Sequence, residues 1–523
     1  MSEKINKNKE IEDQLLEPQP LSNKRIAKNA IMLYMRMFFT MIVGLYTSRV
    51  VLNTLGADDY GIFGVVGSAL AMITFINASM SSATSRFLTF ELGQQNFKKL
   101  SETFSSALIV HIIIALFVLI IAETVGLWFL CNKLVIPEDR MDAALWVYQC
   151  SIISAMLGIT QAPYNASIIA HEKMGVYAYV EILNVTLKLL IVYLLVIGNF
   201  DKLKLYSVLV LAVSTLIMLI YRIYCIRNFK ETHFHWIWKK SILKPLVSFS
   251  GWDLYNNMCL TARAHGRNFL INIFFGVIYN AANGIATTAT GVLSGLARNI
   301  LIAFRPQIIK SYAQGSLKDM NILLLRSTKI STLFAIVICV PICLEINFIL
   351  KVWLSEVPLG TAEFCVLSLI SWCFIMLFSS LSIGNHATGK IKGLSFVTGS
   401  IHILNIPIVL LGFKFGLRVK FAYIVSIITN FLIVFVNLFF IKKWIISFSI
   451  INFFKKCFFP ILFTTAIILG ISLIIKGKLN NEMPFLQLTI YTIISVTITF
   501  LIGLNKSEKT FVRSFIRKKL HFK

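Results

Sequence analysis

Fourteen long apolar runs, each closed by a short polar turn, constrain this chain more than any other feature. They fall near 26–51, 60–90, 103–130, 143–170, 176–198, 204–226, 245–275, 279–310, 320–350, 361–386, 393–413, 421–441, 456–475 and 485–504. About 20 apolar residues carry a helix across a bilayer, so the runs consume most of the 523 residues. They are too long for barrel strands and show no period-two alternation. Only 14% of residues are charged and the mean hydropathy is +0.77, against about 25% charged in soluble domains. This excludes a soluble enzyme and a disordered chain alike. The sequence predicts an all-α polytopic membrane protein with about 14 transmembrane helices.

The net charge of +26 would suggest nucleic acid in a soluble protein. Here the basic residues gather in short loops on one side of the membrane, as the positive-inside rule requires. Lys98, Lys99, the loop Arg227 to Lys244, Lys442, Lys443, Lys455, Lys456 and the tail Lys506 to Lys523 form that set. Both termini are therefore expected in the cytoplasm, and nucleic acid is not an expected partner. The first 25 residues contain no apolar stretch of the signal-peptide kind. The nine cysteines lie mostly in apolar runs, with no CxxC and no Cys/His cluster. They read as packing residues, and no metal or cofactor is expected.

A repeat runs through the chain. Tyr60 to Arg86 and Tyr279 to Arg305 are each 26 residues apart, at an offset of 219. Arg49-Val-Val-Leu-Asn-Thr-Leu-Gly56 resembles Arg267-Asn-Phe-Leu-Ile-Asn-Ile-Phe-Phe-Gly276, and Ala170-His-Glu-Lys173 precedes Ala387-Thr-Gly-Lys390 by 217 residues. These matches indicate a duplicated six-helix unit. Six is even, so the copies share one orientation and are related by an axis along the bilayer normal. The expected division is a cytoplasmic tail 1–25, a first lobe 26–226 (spans 1–6), a cytoplasmic loop 227–244, a second lobe 245–441 (spans 7–12), an appended pair 442–504 (spans 13–14) and a basic cytoplasmic tail 505–523.

A charge at the bilayer centre costs about 2.5–3.5 kcal/mol even on the lenient insertion scale, and is kept where it meets water, a partner or a ligand. Span 7 carries Asp253, Asn256, Arg263 and Arg267 within about 80° of helix surface. Span 8 carries Asn280, Thr287, Gly291, Ser294, Arg298 and Arg305 in a similar sector, and span 2 repeats it with Gly61, Ser68, Ser79, Ser82 and Arg86. Span 1 presents Arg36, Thr40 and Thr47 on one face, with Arg49 about 140° from Arg36. Arg36, Arg263 and Arg298 are the deeper arginines and indicate a wet cavity. Arg49 and Arg267 lie near the outer ends, against the positive-inside trend, while Arg86 and Arg305 lie near the cytoplasmic ends, where snorkelling competes with function. Guanidinium forks stay charged and bind phosphate or carboxylate bidentately. The cavity therefore suits an anionic, amphiphilic cargo, and a pyrophosphate in particular. Asp253, Glu181 and Lys188 are candidates for ion coupling. Lys329 either extends the basic cavity or snorkels.

There is no P-loop, no HExxH, no nucleophile elbow and no outer loop large enough for an active-site domain. Catalysis is not expected, which disfavours a membrane polymerase or glycosyltransferase.

The first span ends Tyr46-Thr-Ser-Arg49-Val-Val-Leu-Asn-Thr-Leu-Gly56-Ala-Asp-Asp-Tyr60-Gly61-Ile-Phe, and the second closes with Ser85-Arg86-Phe-Leu. With Ala162-Pro-Tyr-Asn165 and Ala170-His-Glu-Lys173 before span 5, this resembles the Wzx-type oligosaccharide flippases of the multidrug/oligosaccharidyl-lipid/polysaccharide (MOP) exporter superfamily. The resemblance covers about residues 22–505. It implies a two-lobed, MATE-like fold working by alternating access in a bacterial plasma (inner) membrane. The implied cargo is an undecaprenyl-pyrophosphate-linked oligosaccharide destined for O-antigen, capsule or exopolysaccharide. The matching cavity positions are Arg36, Arg49, Arg86, Arg263, Arg267, Arg298 and Arg305. Implied partners are the lipid-linked oligosaccharide, membrane lipids and the polysaccharide polymerase machinery. A MATE-like cation-coupled multidrug antiporter and a lipid II flippase are the alternatives.

Overall fold

The computed structural model describes residues 23–133, 136–195, 200–354, 356–478, 483–506 and 508–510. Of the expected tails, residues 1–22, 507 and 511–523 lie outside these residues, and so does the side chain of Ser68.

Among the described residues there are fourteen long helices. In the first half these are α1 (Asn23–Leu55), α2 (Ala57–Gly93), α3 (Phe97–Ile121), α4 (Met141–Ala170), α5 (Met174–Leu194) and α6 (Lys202–Asn228). In the second half they are α7 (Lys240–Phe275), α8 (Val277–Ala313), α9 (Leu317–Leu344), α10 (Thr361–Ala387), α11 (Lys392–Lys414) and α12 (Lys420–Trp444). The last two are α13 (Phe459–Lys478) and α14 (Pro484–Ile498). A wide π turn, Ala122–Gly126, carries α3 on to Lys133, and similar turns lead into α13 and out of α14. Twelve of the fourteen are long and apolar enough to cross a membrane. The other two, α2 and α7, are 37 and 36 residues long. In α7 the apolar surface is broken by Asp253, Asn256, Asn257, Arg263 and Arg267. This is a multi-pass membrane protein.

The same set of helix contacts recurs in each half. In the first, α1 packs on α5, α2 on α3 and α4, α4 on α3 and α6, and α5 on α6. In the second, α7 packs on α11, α8 on α9 and α10, α10 on α9 and α12, and α11 on α12. The duplicated unit is thus present in three dimensions as two six-helix lobes. The α13–α14 pair lies against α9.

Backbone strain repeats with it. Gly56 and Gly276, before α2 and α8, have φ of 86° and 81°. Gln95 and Gly315, after those helices, have φ of 57° and 75°. Glu172 and Gly389, in the turns after α4 and α10, have φ of 59° and 76°. A left-handed residue is costly without glycine, so three matched positions argue for copied turns.

The lobes meet through α1, α2, α7 and α8. Lipid offers helices no hydrophobic drive to associate, so close packing and hydrogen bonds hold such contacts. Near the face where α1 begins, hereafter the N-terminal face, Arg305 Nη2 donates to Ser82 Oγ at 2.9 Å and Arg86 Nη2 donates to the Ala387 carbonyl at 2.7 Å. Lys310 and Gln307 of α8 reach Glu172 at 2.7 and 2.6 Å. Phe87 meets Phe249, and Phe90 meets Tyr312, across the same junction. A Cβ on Gly93 would lie 2.9 Å from the Ala313 side chain. The two long helices that carry the arginines are therefore in tight contact at this end.

Candidate functional site

Toward the opposite face the four helices part. A Cβ added to Gly44 of α1, to Gly61 or Gly64 of α2, or to Gly284, Gly291 or Gly295 of α8 would meet nothing within 4 Å. Arg49, Thr261, His265, Thr287, Thr288 and Arg298 are exposed. The described cross-lobe contacts stop near mid-depth, where Asn299 Nδ2 meets Met37 Sδ at 3.2 Å. The result is a gap between the lobes, closed at the N-terminal face.

Five of the seven sequence-nominated arginines lie on the parts of α1, α7 and α8 beyond or beside that closure. Arg49 and Arg298 are exposed. Arg267 is half-buried with its guanidinium 4.8 Å over the Tyr423 ring, leaving Nε without a partner. Tyr423 in turn donates to Asn283 Oδ1 at 2.7 Å, and Asn283 bonds Asn268, so α7, α8 and α12 hold one another at this point. Arg263, one turn deeper, donates from Nη1 to Asn430 Oδ1 at 3.1 Å, and Asn430 donates to Ser371 Oγ at 2.8 Å. Arg36 of α1 lies 4.8 Å over the Tyr177 ring of α5, again with a free Nε. Aromatic faces and neutral oxygens support these cations without neutralising them.

Arg86 and Arg305 are placed differently. They sit within the closure itself, each reaching across to the other lobe. Among the described residues none of the seven arginines makes an ion pair. Asp253 is buried at the same junction, where Asn257 bridges it to Ser79 at 3.4 and 3.1 Å. It lies in electrostatic reach of Arg305 rather than of Arg263. Glu181 and Lys188 share α5 and feel one another's charge.

Lys329 belongs to neither alternative raised by the sequence. It is buried against Glu508 at 2.9 Å and fastens α9 to the segment after α14. Sequence reading also missed Arg222, which donates to Thr160 Oγ1 at 2.9 Å and lies 5.4 Å over Tyr164 in the first lobe. An arginine inside an otherwise apolar run was the available signal. Asn430 and Tyr423 escaped notice because a lone polar residue on an apolar helix carries no mark of the arginine it will meet.

No protein-family model and no curated protein matches this chain. Solved structures do. A MATE transporter in its straight conformation superposes with a TM-score of 0.69 at 12% identity, covering 83% of this chain and 98% of that one. The protein has a MATE-type fold. The outward-facing conformation of a multidrug resistance MATE family transporter of the MOP superfamily gives a TM-score of 0.65 at 12% identity, over 83% and 100% of the two chains. A MOP superfamily transporter from Pyrococcus furiosus, described as having a binding pocket of reverse polarity that suggests a different function, gives 0.63 at 11% identity over 83% and 99%. These neighbours are transporters, and the likeness to them is one of fold.

Proposed function

We propose that this protein is a flippase for a lipid-linked oligosaccharide. It moves an undecaprenyl-pyrophosphate-linked repeat unit from the cytoplasmic to the outer leaflet of a bacterial inner membrane, for O-antigen, capsule or exopolysaccharide assembly. The observation that carries this reading is the set of arginines on the helices that border the gap: Arg49 and Arg298 are exposed, Arg36, Arg263 and Arg267 rest on neutral side chains of their own lobes, and none has a carboxylate partner among the described residues. Unpaired guanidinium groups at membrane depth are retained where water and an anion reach them, and their forks match a pyrophosphate. The N-terminal face is taken as cytoplasmic. Rocking of the lobes opens it, uncovering Arg86 and Arg305 to receive the headgroup while the polyprenyl tail stays in lipid. Asp253, Glu181 and Lys188 are the groups through which an ion gradient would act, and polysaccharide polymerase machinery is the expected recipient of the product.

The fold supports a cation-coupled multidrug antiporter equally well. The sign of the charge separates the two readings, because a cavity for cationic drugs needs carboxylates to dominate and here arginines do. The Pyrococcus furiosus transporter of this fold is described as having a binding pocket of reverse polarity. Replacing Arg263 or Arg298 by Ala should abolish surface polysaccharide while protein level stays intact. Each lost charge-assisted pair weakens headgroup binding roughly tenfold to a hundredfold. Normal polysaccharide from both variants would overturn the flippase reading. Loss of dye resistance with polysaccharide intact would favour the antiporter, and loss of lipid II at the surface would favour the lipid II flippase.

A further inference from the structure

The turns after α4 and α10 are copies of one another, yet they differ in charge. In the first, the buried Glu172 carboxylate receives Lys310 Nζ at 2.7 Å and Gln307 Nε2 at 2.6 Å. In the second, 217 residues later, the matching position is Gly389. A Cβ there would lie 2.9 Å from Arg86 Nη2, so the guanidinium fills the space above the glycine.

Around Gly389 lies a cavity of about 280 Å³, lined among others by Arg86, Lys390, Lys392, Phe87, Phe249 and Trp252. Arg86 is only 5% exposed, and its Nε has no partner. Glu91, which is in electrostatic reach of Arg86, is itself paired with Lys99 at 2.9 Å. Lys390 and Lys392 lie 4.8 Å over Trp444 and 5.4 Å over Trp252, and among the described residues neither makes an ion pair. Helix α11 starts here with no side-chain cap, which leaves backbone N–H groups and the positive end of its dipole at the same place. The first turn therefore supplies its own anion to its junction, whereas the second gathers three cations, Arg86 from α2 and its own Lys390 and Lys392, and no anion.

We infer that this cavity binds a phosphate group, carried on an anionic lipid headgroup or as free phosphate, in the role that the Glu172 carboxylate plays in the first lobe. Its volume is just below the range of drug-sized ligand sites, about 300–1,000 Å³, which suits a group as small as a phosphate. The site is distinct from the gap, because it lies on the far side of the closure. Arg86 belongs to α2 and the two lysines to the α10–α11 turn, so a bound anion joins the lobes and holds the N-terminal face shut.

The test is a thermal-unfolding titration of the full chain in neutral detergent, with inorganic phosphate and, separately, with phosphatidylglycerol micelles; phosphatidylcholine is the zwitterionic control. The midpoint should rise with at least one of the two anions. In a Lys390→Gln/Lys392→Gln variant the half-saturating concentration should increase about tenfold or more, whereas Lys455→Gln/Lys456→Gln should leave it unchanged. A rise with phosphate alone, or with phosphatidylglycerol alone, supports the site and names its source. No rise with either, or an equal rise in the Lys390→Gln/Lys392→Gln variant, overturns the inference. The single variant Lys390→Gln, at an exposed side chain, gives the same answer should the double variant misfold.

Discussion

Arginine is used in two opposite ways in this molecule. Arg140, at the start of α4, binds Asp59 through Nε and Nη2 at 2.8 and 2.5 Å and Asp201 through Nη1 at 2.6 Å. It thereby ties the beginnings of α2, α4 and α6 at the face opposite the N-terminal one. Burial alone would raise the Asp201 carboxyl, but the Arg140 hydrogen bond, aided by the backbone N–H groups of Lys204 and Leu203, holds it below the usual carboxylate value. Such a group contributes stability above the ordinary carboxylate pKa of about 4 and loses it as pH falls through the lowered value. Arg140→Ala should cost about 1 kcal/mol at neutral pH, the upper end for a partly exposed pair. The difference from the wild type should shrink as pH falls from about 4 toward 2. Thermal midpoints of both proteins across that range check this, and a constant difference would refute it. Among the described residues the arginines bordering the gap have no such carboxylates, and on the proposed reading that leaves them for an anion.

At the scale of elements, the repeat was legible in the sequence and the contacts that use it were not. Offsets of 217 to 220 reappear as matched left-handed residues, such as Gly56 with Gly276 and Glu172 with Gly389. The arginine stripes of spans 7 and 8 were legible because helical periodicity converts spacing into a face. The Arg140 triad was not, since its partners stand 81 and 61 residues away and nothing local marks them. Helix ends shifted for a similar reason. The loop expected at 227–244 gives way to α7 from Lys240, with Pro245 in its second turn, where the missing N–H removes one intrahelical hydrogen bond. The closure between α2 and α8 depends on a small residue. A Cβ at Gly93 would stand 2.9 Å from the Ala313 side chain and 3.0 Å from the Lys310 Cα. Gly93→Val should therefore push these helices apart, at a cost of about 1–3 kcal/mol as in other overpacked contacts. It should loosen the N-terminal face in particular. Hydrogen exchange at the ends of α2 and α8 would report it, and unchanged protection there would count against the packing described.

On the proposed flippase reading, tight contact at one face and a gap at the other would be one state of an alternating cycle. The cross-lobe bonds that close the N-terminal face, Arg305 to Ser82 and Arg86 to Ala387, must break for the gap to open there. Neither cation makes an ion pair among the described residues, although Asp253 and Glu91 lie in electrostatic reach, and the Lys310–Glu172 pair adds to the same closure. Net contributions of about 1.5–3 kcal/mol each are typical of bonds to charged groups. In a background with its nine cysteines replaced, single cysteines at Thr261, His265 or Thr288 should react with a membrane-impermeant maleimide applied from the face opposite the N-terminal one. Cysteines at Ser79 or Ser82 should be protected from that side in the same protein. Adding the lipid-linked cargo should slow labelling at Thr261 and Thr288, because the headgroup would occupy the gap those residues border. Equal labelling at both depths would mean that the closure seen between α2 and α8 does not seal the path.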